Sequence, residues 1–160
     1  YHKEFLGENI DQFKVDQLAN EFSRLVLQKV IDSAYVPGAS SFISSNYCNY
    51  DFHISTGTPT SEIEIILNKT SSRNFFKQVF GSPEKKDLHI RRILEMYGYN
   101  NREVVFIGDA LADRDAARNN DIHFIGRYTT VAEIKKEKFL IKDFSELQNV
   151  LTKLTSYEGI

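Results

Sequence analysis

Apolar residues in the first third of the chain recur at helical spacing. Val15, Leu18, Phe22, Leu25 and Val26 fall on one stripe, the pattern of an amphipathic helix. Asp11 is placed to cap its start, and Pro37-Gly38 to end it. The spacing predicts a shorter helix over Ala39–Asn46, with Phe42 and Ile43 turned inward. Near residue 51 the rhythm changes. Residues 51–56 read as a strand that ends at Gly57-Thr58-Pro59, and residues 61–67 as a helix begun just after the proline. Residues 78–80 predict a second strand, before Gly81-Ser82-Pro83. Ile90, Ile93, Leu94 and Tyr97 fall at i, i+3, i+4 and i+7, which predicts a helix over Lys86–Tyr97 closed by Gly98. Residues 104–107 and 122–125 are strands of the buried type, apolar on both faces, with a helix over 111–120 between them. A short strand at 139–141 and a helix over 145–154, with Leu147, Val150 and Leu151 on one face, complete the chain. Strand and helix thus alternate after residue 50. That order predicts an α/β fold, a parallel sheet flanked by helices. In open sheets of this kind, sites form at the carboxyl ends of the strands.

Composition narrows the setting. A chain of 160 residues suits one domain with a core, or one domain with part of another. A net charge of -2 gives no basic field for nucleic acid or an anionic membrane, so neither is expected as a partner. No apolar run is long enough to span a bilayer. The single cysteine, Cys48, excludes an internal disulfide and fits a reducing compartment, the cytoplasm. No pattern in the chain speaks to oligomeric state.

Three expected strand ends carry reactive groups. The first ends at Thr56, the second leads to Lys86, and the third ends at Asp109. A hydroxyl, an ammonium and a carboxylate on one rim suit a phosphate and a divalent cation. Gly108 permits a tight turn before Asp109, and Mg²⁺ favours one or two carboxylates with water and phosphate oxygens. Asp113 lies one turn on, where helical side chains lean back toward the N-terminus. It can reach the same spot as Asp109, or simply cap the helix at 111–120. The Thr56 hydroxyl and the following amides, Gly57 first, can hold phosphoryl oxygens at a helix start; a plain turn capped by Thr58 is the simpler alternative. Lys86 opposes the dipole of the helix it opens, which calls for an anion nearby; Lys85 competes for the same part. The histidines, His2, His53, His89 and His123, show no ligand spacing. Dinucleotide, P-loop and nucleophile-elbow motifs are absent.

Together these residues resemble the haloacid dehalogenase superfamily, mostly Mg²⁺-dependent phosphatases. Gly108-Asp109-x-x-x-Asp113-x-x-Ala116-Ala117 is similar to its fourth motif, Ile54-Ser55-Thr56-Gly57-Thr58-Pro59 to its second, and Gly81-Ser82-Pro83-x-x-Lys86 to its third. Val36-Pro37-Gly38-Ala39 resembles the return from an inserted helical cap. The resemblance implies a Rossmann-like core over residues 36–160 and the last part of an α-helical cap over residues 1–35. It implies a small phosphorylated substrate, Thr56 and Lys86 as catalytic and phosphate-binding residues with Gly57 beside them, and Asp109 and Asp113 at a Mg²⁺ ion. It also implies an aspartate nucleophile and a second aspartate as acid and base, in an Asp-x-Asp motif after an apolar strand. No such motif occurs in the 160 residues: Glu4, Glu8 and Asp11 follow no strand. The expectation is that this strand, central in the family's sheet, lies before Tyr1. The chain alone would then be inactive and fold poorly, because the strands beside the missing one lose their partners. A phosphomutase of the same superfamily and a non-catalytic binding module of this fold are the alternatives. A dehalogenase, which uses no Mg²⁺, fits the paired acids less well.

Overall fold

The structure is a computed structural model that describes residues 12–158. It divides into two units, Tyr1–Ala34 and Tyr35–Ile160. The first is described through one helix, α1 (Gln12–Ile31). Val15, Leu18, Leu25 and Val26 of the expected stripe are exposed on it. The expected cap, Asp11, lies outside the described residues, as does His2.

The second unit runs α2 (Ala39–Asn46), β1 (Phe52–Pro59), α3 (Thr60–Lys69), β2 (Phe76–Ser82), α4 (Lys86–Tyr97), β3 (Val105–Gly108), α5 (Leu111–Asn119), β4 (His123–Arg127), β5 (Leu140–Ile141) and α6 (Leu147–Glu158). The order is the one the sequence predicts. α4 has the expected bounds, with Gly98 left-handed at its end and its amide on the Leu94 carbonyl. β1 and β2 extend further than expected toward their carboxyl ends, because they pair there, Pro59 opposite Ser82. α6 starts at Leu147 because a 3-10 turn, Phe144–Glu146, precedes it, with Asp143 accepting the Ser145 amide at 2.9 Å.

All pairings are parallel, and they form two sheets rather than one: β1-β2 and β3-β4-β5. β1 and β3 do not pair, yet both are packed under the same helices. On one face, His89 of α4 bonds Ser55 of β1, while Ile90 of α4 packs with Ala116, Ala117 and Ile122 against Phe106 of β3. On the other, the ring of Phe42 meets Phe52 of β1 edge-on at 6.3 Å and packs against the cluster of Ile125, Ile141, Leu147 and Leu154. β3 is therefore not the buried strand its apolar run predicts. Every residue of β3 is half-buried, whereas Ile125 on β4, paired on both sides, is fully buried. β3 pairs on one side only among the described residues, whereas β4 lies between β3 and β5.

The entry into this unit is fixed at Gly38. Its φ is +77°, and a Cβ there would stand 2.5 Å from the Ser145 backbone nitrogen. Only glycine fits such a left-handed, close approach. The Phe144 amide donates to the Pro37 carbonyl at 3.0 Å, tying the start of the unit to α6. Among the described residues, no helix is long and apolar enough to cross a membrane.

Candidate active site

Lys86 opens α4, and its Nζ donates to Asp113 Oδ1 at 2.5 Å. Lys86 follows β2 and Asp113 follows β3, so this pair brings the carboxyl ends of both sheets to one side of the unit. It also supplies the anion that a lysine at a helix start calls for. Both side chains are largely sheltered, Asp113 at 6% exposure and Lys86 at 24%. Lys85, by contrast, is exposed at the extended position before α4.

Asp113 is used on both oxygens. Oδ2 accepts the Ala110 amide at 3.1 Å, so the residue does bind the start of its own helix. Gly108 makes room for it: a Cβ there would lie 2.4 Å from the Asp113 Cβ and 2.5 Å from its Oδ2. Asn120, buried at the far end of α5, donates to the Ala116 and Asp87 carbonyls and so fixes α5 to α4.

Asp109 faces elsewhere. Its side chain is 54% exposed, and Oδ2 takes Arg127 Nη1 at 3.3 Å. The two acids thus contact different cations, Asp113 the half-buried Lys86 and Asp109 the rim Arg127. Asp109 has an oxygen with no protein partner among the described residues, and it can enter a cation's shell. Asp113 is committed to two protein donors and stands behind it. Among the described residues, no three His, Cys, Asp or Glu side chains gather into a metal cluster. The donor set fits a hard cation that takes one carboxylate here and completes its shell with water, phosphate or other donors.

Thr56 is half-buried, and its Oγ1 accepts the Thr58 amide at 3.1 Å. Its own O–H stays available to donate. Thr58 does not cap α3, which begins at Thr60 after Pro59. Thr60 Oγ1 instead accepts the Gly81 amide at 3.1 Å, binding the end of β2 to the turn after β1. Gly57 is exposed on that turn.

Two further residues lie here that no motif marks. His89 is fully buried, with Nδ1 on Ser55 Oγ at 2.9 Å and its ring stacked on Phe80 at 5.4 Å. Its Nε2 has no hydrogen-bond partner among the described residues, and Glu84 lies 3.8 Å away. Burial holds its pKa below the ordinary histidine value. Only its place beside Ile90 and Ile93 hinted that it is buried. Arg127 was also unmarked, although a cation at the end of β4 stands next to Asp109 once β3 and β4 pair, Gly108 opposite Gly126. His53 and His123 lie at the amino ends of β1 and β4, away from this rim, on Tyr99 OH at 3.3 Å and the Arg102 carbonyl at 3.0 Å.

Residues 2–127 match the family model described as haloacid dehalogenase-like hydrolase. No curated protein matches the chain in sequence. Solved structures match its fold. A haloacid dehalogenase-like family protein from Streptococcus pneumoniae is 16% identical with a TM-score of 0.73, over 89% of this chain and 72% of its own. A predicted phosphoglycolate phosphatase from Haemophilus somnus is 15% identical with a TM-score of 0.78, over 93% and 72%. A protein from Bacillus subtilis, described as a hydrolase of the same type bound to magnesium, is 19% identical with a TM-score of 0.73, over 86% and 62%. Part of each neighbour's length therefore has no counterpart in this chain.

Proposed function

The chain belongs to the haloacid dehalogenase-like hydrolases, and we propose that it carries the phosphate and metal side of a Mg²⁺-dependent phosphomonoesterase. The observation that supports this reading most is the Lys86–Asp113 pair at 2.5 Å. It links the start of α4, after β2, to the start of α5, just beyond the strand that leads to Asp109.

On this reading Thr56 donates its hydroxyl to a phosphoryl oxygen, and the exposed turn at Gly57 offers backbone amides to another. Lys86, held by Asp113, places a fixed positive charge beside the phosphate. Asp109 binds Mg²⁺, and Asp113 orients Lys86 and the turn that presents Asp109. A bound Mg²⁺ supplies charge neutralisation, the main need of phosphoryl transfer. Fixed donors aimed at the transferring group stabilise its charge without reorganisation. The nucleophilic aspartate and its acid-base partner belong to a strand outside these 160 residues, one that fits between β1 and β3. Residues 1–35 belong to a helical cap, and residues 36–160 form the core without that strand. The substrate is a small phosphate monoester.

The test is hydrolysis of an aryl phosphate with Mg²⁺, by a polypeptide that includes the missing strand. Asp109→Asn should lower kcat/KM at least 100-fold, and the 160-residue chain alone should be inert. Turnover by the chain alone, or full activity in Asp109→Asn, would refute the assignment.

A further inference from the structure

At the carboxyl ends of β4 and β5, one strand over from Asp109, the fold forms a cavity of about 150 Å³. That is well below the roughly 300–1,000 Å³ of pockets for drug-sized ligands, so its occupant is small. Its apolar lining includes Ile134 and Ile141, both buried. Its charged lining is unbalanced: Arg127, Lys135 and Lys142 stand against Glu146 alone. Glu146 is already engaged, with Oε2 accepting the Lys142 backbone amide at 2.8 Å. Lys135 is held over the ring of Tyr128 at 5.6 Å.

Arg127 points most clearly to a ligand. Its Nε is buried and finds no acceptor among the described residues. Its one ion pair among the described residues, to Asp109, is long at 3.3 Å. Buried donors are nearly always satisfied, because a desolvated group without an acceptor is unfavourable. A guanidinium fork suits a carboxylate or a phosphate, which can accept two parallel bonds. Lys135 and Lys142 take no part in the phosphoryl site proposed above, and Arg127 touches it only through Asp109.

We propose that this cavity is a second anion site, separate from the Thr56–Lys86 rim. It takes a small organic anion, a carboxylate or phosphate head on a short apolar body. The head lies on Arg127 and Lys142, and the body on Ile134 and Ile141. Arg127 is shared, so the anion and Asp109 compete for one guanidinium.

Calorimetric titration of the polypeptide that includes the missing strand, without Mg²⁺, tests this, with propylphosphonate, butyrate, inorganic phosphate and propanol as probes. We expect saturable binding of propylphosphonate or butyrate, whichever head the site prefers, at least three-fold tighter than phosphate, and none of propanol. Lys142→Gln, an exposed position, should weaken it five-fold or more, and Arg127→Gln ten-fold or more. Asp109→Asn should tighten it several-fold by releasing Arg127, and Thr56→Ala should leave it unchanged. No saturable binding of either organic anion overturns the proposal. So does binding lost in Thr56→Ala but kept in Lys142→Gln, which would place the anion on the other rim. Turnover is not read, so a failure of the phosphatase assignment leaves this result intact.

Discussion

Gly108 shows how one missing side chain shapes the rim. A Cβ at that position overlaps the body of Asp113, not merely its tip. Asp113 would have to leave both Lys86 and the Ala110 amide. Gly108→Ala is therefore expected to destabilise the fold by about 1–3 kcal/mol, the usual range for overpacking. Urea melts measure this, and an unchanged midpoint would mean that Asp113 is free to move. His89 sets a second expectation at this scale. Burial is the leading cause that lowers its pKa; Glu84 opposes the shift, and Arg92 and Lys86 add to it. Burial lowers His53 in the same direction. A histidine depressed in the fold is protonated first in the unfolded chain. Its stability contribution is complete above pH 6.5 and is lost as the pH falls below that value. Denaturant midpoints should drop between pH 7 and 5, and His89→Asn should remove part of the drop. An equal drop in that variant would assign it to other groups.

At the scale of elements, α4 does the joining. Its first turn sends Lys86 to the start of α5 and His89 to β1. Lys86→Met leaves the Asp113 carboxylate sheltered without its cation. Breaking a fully buried pair costs 3–5 kcal/mol; with Lys86 a quarter exposed, a loss of about 2–3 kcal/mol is expected. Adding Asp113→Asn, which keeps an acceptor for Ala110, should restore part of it. Lys85→Ala should stay within about 0.5 kcal/mol, as at other exposed positions. Equal losses at the two lysines would undo the distinction. Much of this element was legible in the sequence. The i, i+3, i+4, i+7 spacing and Gly98 place α4, and the mismatch of Lys86 with the helix dipole calls for an anion. Which rim acid supplies that anion was not legible, since the contact spans 27 positions. The same holds for His89 on Ser55, 34 apart, and Arg127 on Asp109, 18 apart. Local pattern fixes periodicity and turns; these pairings arise only when strands are set side by side. The motif spacing set Asp113 one turn from Asp109 and was silent about their separate cations.

At the scale of the whole molecule, the open edges of β1 and β3 are the feature to test. β4 is bonded on both sides, with the His123 amide on Val104 and the Gly126 and Tyr128 amides on Phe139 and Ile141. Among the described residues β1 and β3 each pair on one side, so half of their backbone groups face no described strand. Amide hydrogen exchange distinguishes the two situations. In the 160-residue chain, protection should alternate along β1 and β3, high toward the paired neighbour and low toward the open edge. Along the carboxyl end of β4 it should be continuous. In a longer polypeptide that carries the proposed strand, the unprotected amides of β1 and β3 should become as slow as those of β4. That change reads strand insertion directly and needs no activity. If the edges exchange alike in both polypeptides, nothing fills the space between β1 and β3, and the nucleophile must reach the rim by another route. If they close while Asp109→Asn still hydrolyses aryl phosphate, the fold reading stands and the metal assignment alone is lost.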